Sequence, residues 1–509
     1  MRLIFGSQAG FTNIFYDVFK YLKDSSNHID DSIFFVSDSD YFYGAKVNKL
    51  FEKNQNIKLL KEWDFTSKKN ISLEKNRFNF LKNKYKDLNL WDAIVCDRRL
   101  MFGANAKFNQ NYNSRYSNEQ LINIIYHTID EIDSMLSSSD EMCVITPIPA
   151  CYYDYLLYFS AKVNKKKYLQ LKFSKIENRI FFSSFFNGTC PPILSDSYQK
   201  NFKNGINGSY IHEVDKYFNK ATKEKPLYEG VVLESNSWFD YLNAFKSDFF
   251  GGVIKKLFNP KLLLRLSDPH VPPFHSDFIS KYIIKPFRRN NIKYITRKRT
   301  VTLDEMKQFE AYFYPMHSEP EIAISVYGKN WQNQIELIRK IAQSIPLGAI
   351  LVVKEHPRSL GYRSLSYYKA LLRIPNVFFI NPDTSTRDVI NNSKLVFVLS
   401  GFVGFEALLL KKPVIAFGDV MYSCISDLMI KKCTDTSKLN HLINEIRSTY
   451  RFSERSLKSY ISAIYENTEG IDFYSSLLSK KGRHSVGSDK SYEDQIKLLS
   501  NFIYSKLNN

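Results

Sequence analysis

The sequence lacks the features that would mark a metal, disulfide or membrane-spanning protein. Its six cysteines (Cys96, Cys143, Cys151, Cys190, Cys424 and Cys433) form no CxxC pair and no His/Cys zinc spacing. That excludes a zinc ribbon or a disulfide framework and predicts a reduced cytoplasmic protein. No apolar run reaches the ~18–20 residues that span a bilayer. The first residues, Met1-Arg-Leu-Ile-Phe, run straight into a strand-like segment, without the long apolar stretch of a signal peptide. There is no internal repeat and no low-complexity tract. No Asp-x-Asp stands at a strand end in the second half, so no metal is expected and no cofactor is implied.

Acidic residues are also in deficit. Lys and Arg number 71 against 52 Asp and Glu, a formal charge of +19. Such a surface attracts anions: phosphorylated small molecules, anionic lipid headgroups or nucleic acid. An equally direct reading is a compositional bias spread over the whole surface. No basic run is interleaved with an RNA- or DNA-binding motif, so nucleic acid is not expected as a partner. The 509 residues exceed what one core supports, about 250–300 residues, and 44% apolar and 15% aromatic residues can build two.

The first half alternates short apolar runs with helical periodicity. Arg2–Gly6, Ser32–Val36, Lys58–Leu60, Ala93–Cys96, Met142–Thr146 and Tyr168–Leu171 read as strands; Tyr116–Ser137 and Tyr152–Val163 read as helices. From about Asp215 to Thr300 this rhythm fades into an aromatic, basic segment. Within it, Lys281–Arg299 could form a charged solvated face or a patch on an anionic membrane surface. The second half resumes the alternation. Ala311–Tyr314, Ala349–Lys354, Val377–Ile380, Leu395–Leu399 and Val414–Phe417 read as buried parallel strands, with helices between them. The expected domains are 1–214, an insertion and linker 215–304, a second α/β domain 305–475, and a tail 476–509. Its last helix, Glu493–Leu507, should cross back to the first domain.

In open α/β sheets ligands bind beyond the carboxyl ends of the strands. Three polar clusters of the second half fall there. His317, Glu319 and Glu321 follow the first strand and could bind hydroxyls or move a proton, or could be solvated turn residues. Lys354, His356 and Arg358, with Arg363 nearby, follow the second. They suit a diphosphate or phosphate diester, though an ordinary basic loop would look the same. Ser400, Gly401, Gly404 and Glu406 form a small turn that opens a helix, a candidate anion site. Glu406 could accept bonds from a ribose or simply cap its own helix.

In this order and spacing, the clusters resemble the capsule polysaccharide biosynthesis family, which includes the Kdo transferases of bacterial capsules. The resemblance covers roughly Phe313 to Tyr422 and extends more loosely to the Cys96-Asp-Arg-Arg-Leu100 and Lys175-Ile-Glu-Asn-Arg179 segments. It implies a GT-B-like α/β fold, two Rossmann-like domains facing a cleft, with a helical basic insertion between them. The chain is also similar to bacterial sialyltransferases, in which a His-Pro motif and a Ser-containing turn hold the CMP of the donor. His356-Pro357 and Ser400-Gly401 match those elements.

The resemblance implies metal-independent sugar transfer in bacterial surface polysaccharide synthesis. A nucleotide-sugar, such as a CMP-activated ulosonic acid like Kdo, would be the donor substrate, and a glycan or glycolipid the acceptor. His317, Glu319 and Glu321 would then be the catalytic candidates. Lys354, His356, Arg358, Arg363, Ser400, Gly401, Gly404 and Glu406 would bind the donor. An enzyme peripheral on the inner membrane, with an anionic lipid surface as partner, fits the charge. A sugar-nucleotide epimerase of the same architecture and a non-catalytic assembly subunit remain as alternatives.

Overall fold

A computed structural model describes residues 1–26, 28–44, 46–102, 114–138, 141–224, 270, 279–319, 321–479 and 490–508. Most of the basic insertion expected at 215–304 lies outside these residues, as does the polar stretch 480–489.

Each half builds one seven-stranded sheet, because its apolar runs are short, rich in Val, Ile, Leu and Phe, and separated by amphipathic helices. The first contains β1 (Arg2–Gln8), β2 (Asp31–Ser37), β3 (Ile57–Lys61), β4 (Met142–Thr146), β5 (Lys167–Phe173) and β6 (Arg179–Ser183). The second contains β7 (Thr300–Val301), β8 (Ala311–Pro315), β9 (Ile350–Lys354), β10 (Val377–Ile380), β11 (Leu395–Val398), β12 (Val414–Ala416) and β13 (Ile430–Lys432). A late two-residue strand, β14 (Glu469–Gly470), returns to the first sheet and pairs antiparallel with β6. The strand orders are β14-β6-β5-β4-β1-β2-β3 and β13-β12-β11-β8-β9-β10-β7.

The second sheet is parallel throughout. The chain runs outward from β8 to β9 and β10, then crosses back to β11 on the other side of β8. The first sheet does the same around β1, with β2 and β3 on one side and β4 and β5 on the other. Each sheet therefore has a topological switch point, where the turns beyond two neighbouring strands diverge and leave a crevice. The two Rossmann-like domains face each other across a cleft, the GT-B-like arrangement.

Four expectations need correction. Ala93–Cys96 belongs to a helix, Trp91–Cys96, packed on the helix Tyr152–Val163. A four-residue apolar run is equally a buried helix segment, and periodicity alone cannot separate the two. The helix Ile211–Lys223 straddles the expected boundary at 214, and its Val214, Tyr217, Phe218 and Ala221 enter a core shared with β8, β11 and β12. The second domain starts by residue 300 rather than 305, since β7 pairs with β10. The return to the first domain begins before 475: the helix Glu454–Asn467 packs on the helix Pro192–Asn204, and β14 follows. The last helix, Tyr492–Leu507, does lie on the first domain, against the helix Phe11–Ser25, with the Tyr492 hydroxyl donating to Asp17 at 2.7 Å. Among the described residues no helix is long and apolar enough to cross a membrane.

Candidate active site in the interdomain cleft

The switch point of the second sheet sets the site. Beyond β8 the chain continues to His317, and beyond β11 to Ser400 and Gly401. The two turns meet: the Ser400 backbone N–H donates to His317 Nε2 at 3.4 Å. Gly401 has a φ of +88°, and a Cβ there would stand 3.4 Å from the imidazole Cε1. Glycine here serves the left-handed turn, since a Cβ would meet the imidazole only at ordinary contact distance. The Ser400 hydroxyl donates to the Ala323 carbonyl at 3.2 Å and ties the β11 turn to the helix Ile322–Ser325.

His317 is held from behind. Gln334, fully buried, accepts from the His317 N–H at 2.9 Å and donates to the His317 carbonyl at 2.9 Å. Arg363 donates to the same carbonyl. Burial, together with the charges of Lys175, Arg363 and His356, brings the His317 imidazole down to about 4, so it is neutral at pH 7. With Nε2 accepting from Ser400, the ring proton belongs on Nδ1.

The other predicted residues separate into two groups. Arg363 and Glu319 turn inward. Arg363, 1% exposed, pairs with Glu355 and lies 3.7 Å from Glu319. Glu319 accepts from Gln334 and from the Tyr367 hydroxyl at 3.1 Å, while Tyr368 donates to Glu355 at 2.7 Å. The Glu319 carboxylate and both Arg363 Nη atoms are engaged in this buried network, while Arg363 Nε is buried with no hydrogen-bond partner. Expecting Arg363 to hold phosphate and Glu319 to act in catalysis overlooked that two buried carboxylates need a cation beside them. Lys354 ends β9 largely buried, and His356 follows it, exposed, one strand away from the His317–Ser400 contact. Arg358 lies in the turn Pro357–Ser359, and its side chain is outside the described residues.

Gly404 also has a different role from the one expected. The helix it opens is short, Val403–Leu409. The Tyr422 hydroxyl sits over the helix's first turn, beside Gly404, and donates to the Gly401 carbonyl at 2.9 Å. A Cβ at 404 would come within 2.0 Å of that hydroxyl. Tyr422 therefore fills the space in front of this helix start.

The first domain contributes residues to which the sequence gave no role. The β5–β6 hairpin reaches across the cleft, and its tip holds Lys175 and Glu177 at φ +59° and +52°. Left-handed non-glycine residues cost of order 1–3 kcal/mol each and persist only where surrounding structure holds them. The Ser174 hydroxyl does part of this, donating to the Ile176 and Arg179 carbonyls at 3.1 and 3.0 Å. Lys175 feels the charges of Glu321 and Glu406 of the second domain. Burial lowers its pKa, and the two carboxylates oppose the shift. Burial likewise brings the nearby Lys172 ammonium to about 8, opposed by Asp419.

Between the hairpin and the β11 turn lies a cavity of about 350 Å³. Lys172 and Lys175 line it from the first domain, and Ser400, Gly401, Asp419 and Tyr422 from the second. The cavity thus combines two first-domain ammonium groups, an aromatic wall and a polar turn at a switch point. That set suits an anionic, partly apolar small molecule.

The first sheet's own switch point is closed by side chains. Gln8 at the end of β1 donates to Asp154 at 2.6 Å, and the same oxygen accepts the Ala150 and Cys151 N–H groups, each at 3.0 Å. The other carboxylate oxygen is buried with no hydrogen-bond partner. Burial raises the Asp154 carboxyl from its ordinary 3.8 to about 7. Between those values the folded state keeps a proton that the unfolded chain has lost, so this group's contribution to stability falls as pH rises from about 4 to 7. Asp154→Asn should remove that slope. The variant should gain on the wild type by up to about 1.4 kcal/mol per pH unit across the window, read as urea unfolding free energies. His317 contributes a slope of opposite sign, but it is common to both proteins and cancels in the difference.

Comparison with known proteins bears on the same half of the chain. Residues 274–440 match the family model described as capsule polysaccharide biosynthesis protein. The curated protein FixF of Sinorhizobium fredii (strain NBRC 101917 / NGR234) is 30% identical over 131 residues, which is 25% of this chain and 31% of FixF. The match thus spans about a third of that relative's length. Among solved structures, the β-Kdo 2,7 transferase of Thermosulfurimonas dismutans KpsC is similar at 12% identity and a TM-score of 0.34, covering 82% of this chain and 97% of that one. UDP-GlcNAc 2-epimerase from Neisseria meningitidis, bound to UDP-GlcNAc, is similar at 11% identity and a TM-score of 0.22, covering 92% and 100%. The residues that match this family model, 274–440, include both His317 and Ser400 of the switch point.

Proposed function

We propose that the protein is a glycosyltransferase of bacterial surface polysaccharide synthesis, using a nucleotide-sugar donor bound in the interdomain cavity. The observation that carries this reading is the cavity itself. It joins a first-domain lysine hairpin to the Ser400–Gly401 turn at the switch point of a capsule-family domain. Lys175 would meet the donor's phosphate, where a fixed charge in a water-poor cleft stabilises the departing anion most. The neutral His317 would steady the β11 turn from beneath. His356 and Lys354, at the neighbouring strand end, would extend the cationic rim. Glu321, on the cleft side of the turn after β8, is the carboxylate we assign to proton transfer from an acceptor hydroxyl. Glu406, beside Lys175 and Tyr422, would face the sugar or ribose hydroxyls. A CMP-activated ulosonic acid such as Kdo fits as donor because its carboxylate adds an anion for Lys172. No cofactor or metal takes part in this scheme.

The test is turnover of CMP-, UDP- and GDP-sugars with and without a glycan acceptor. Transfer predicts nucleotide release that rises with acceptor. Sugar isomerisation without acceptor would assign an epimerase, and binding without turnover an assembly subunit. Either result would overturn the proposal.

A further inference from the structure

The segment from Ile279 to Arg299 is a continuous run of helical turns: a wide turn at Ser280–Ile284, a helix at Lys285–Thr296, and a tight turn at Arg297–Arg299. One face is anchored. Ile292 and Thr296 are buried, and Ile292 joins the core of the second domain. Arg288 donates to the Tyr362 carbonyl at 2.8 Å, and the Lys285 ammonium lies 4.0 Å from the centre of the Tyr362 ring. Gly361, at φ +95°, lets the Lys285 carbonyl approach so closely that a Cβ there would stand 2.5 Å from it. The segment is thus pinned to the loop that follows β9, at the carboxyl edge of the second sheet.

The opposite face is apolar and open. Ile279, Ile283, Phe287 and Tyr294 are 44%, 60%, 64% and 62% exposed. In the helix Lys285–Thr296, Phe287 and Tyr294 lie about 20° apart at 100° per residue, and Ile279 and Ile283 in the preceding turn are open as well. Exposed Lys293, Arg297 and Lys298 flank the stripe, and the Arg297 guanidinium stacks on the Tyr294 ring at 4.2 Å. Between Phe278 and Leu303 the sequence holds eight Lys and Arg residues and no Asp or Glu.

The geometry points to this face as a docking surface for an anionic lipid bilayer. Long basic side chains bordering an aromatic and aliphatic stripe can place their charges among headgroups while the stripe enters the acyl boundary. The charge selects this occupant. A second copy would set the same run of cations against itself, and a nucleic acid would leave the aliphatic side chains with nothing to cover them. Docking here would set the edge that carries His356 beside the membrane surface. The inference stands on the exposed stripe and its charge, independently of the chemistry in the cleft.

The test is co-sedimentation of the full chain with vesicles of phosphatidylcholine alone and of phosphatidylcholine with phosphatidylglycerol, at low and high salt. The wild type should sediment with the anionic vesicles and be released by salt. Ile283→Ser with Phe287→Ser, and separately Lys293→Glu with Arg297→Glu, should each lower binding by about ten-fold or more. Lys307→Glu, elsewhere on the surface, should bind as wild type. All these side chains are exposed, so unfolding midpoints should be unchanged. Equal binding to neutral vesicles, no binding, or wild-type binding by both paired variants would overturn the inference. So would a lipid-free dimer that Phe287→Ser dissolves, which would assign the stripe to a second copy.

Discussion

Arg363→Met should destabilise the protein by about 3–5 kcal/mol, because it leaves two buried carboxylates without their cation. Glu355 and Glu319 are both almost fully buried, and Arg363 is the cation that the structure places between them. Burial alone already pushes the Glu319 carboxyl upward, with Arg363 opposing it. The variant would also release the His317 carbonyl, so the imidazole should lose its fixed position under the β11 turn. Arg363→Lys should fall between the two, since it keeps the charge but loses the planar fork that reaches both partners. Urea unfolding midpoints separate this account from the expectation drawn from sequence. A phosphate ligand at the cleft surface could be removed with little change in stability, whereas a buried clamp could not.

Lys175→Ala should reduce turnover by roughly ten- to a hundred-fold, the cost of one lost charged hydrogen bond of about 1.5–3 kcal/mol. The hairpin that carries Lys175 also packs Ile176 into the shared core, and that packing is untouched by the change. Stability should therefore move little, or rise slightly as an ammonium with a lowered pKa is removed from a water-poor site. Lys175→Arg should recover part of the activity, whereas Lys307→Ala on the outer surface should have no effect. Steady-state assays at saturating donor would show whether the loss falls on kcat, as expected for a charge that acts on the departing phosphate.

The contrast between these two residues shows what could be read from the sequence. The strands β1, β2, β4, β8, β9, β10 and β11 stood out because each is a short apolar run between amphipathic stretches, and parallel sheets covered on both faces need that pattern. That Lys354 and Ser400 share one sheet edge followed from the rule that parallel strands joined by helices end together, whereas the strand order, which puts β8 and His317 rather than β9 and Lys354 beside β11, did not. The role of Arg363 was not legible. A cationic loop beyond a strand end looks the same whether its arginine faces solvent or a buried carboxylate, and the partners Glu319 and Glu355 come from two different turns. Gly404 misled for a similar reason. A glycine in a turn opening a helix suggests phosphate, but Tyr422, 18 residues on, takes the place that an anion would need. Lys175 fell in a segment of loose family resemblance, but no role could be given to it. Its importance depends on a left-handed hairpin tip and on the packing of one domain against the other, and neither has a local signature. The pairings of β7, β13 and β14, each two or three residues long, likewise come from tertiary contact.

We propose the cavity between the lysine hairpin and the Ser400–Gly401 turn as the nucleotide site. The most direct measurement is the melting temperature of the pure protein with CMP, UDP or GDP, for the wild type and for Lys175→Ala. A ligand that binds only the folded state stabilises it by about 2.7 kcal/mol at a hundred times its Kd. At least one of the three nucleotides should raise the wild-type Tm by several degrees, and the same concentration should raise the Lys175→Ala Tm far less. An equal rise in both proteins, or no rise with any of the three, would contradict this proposal.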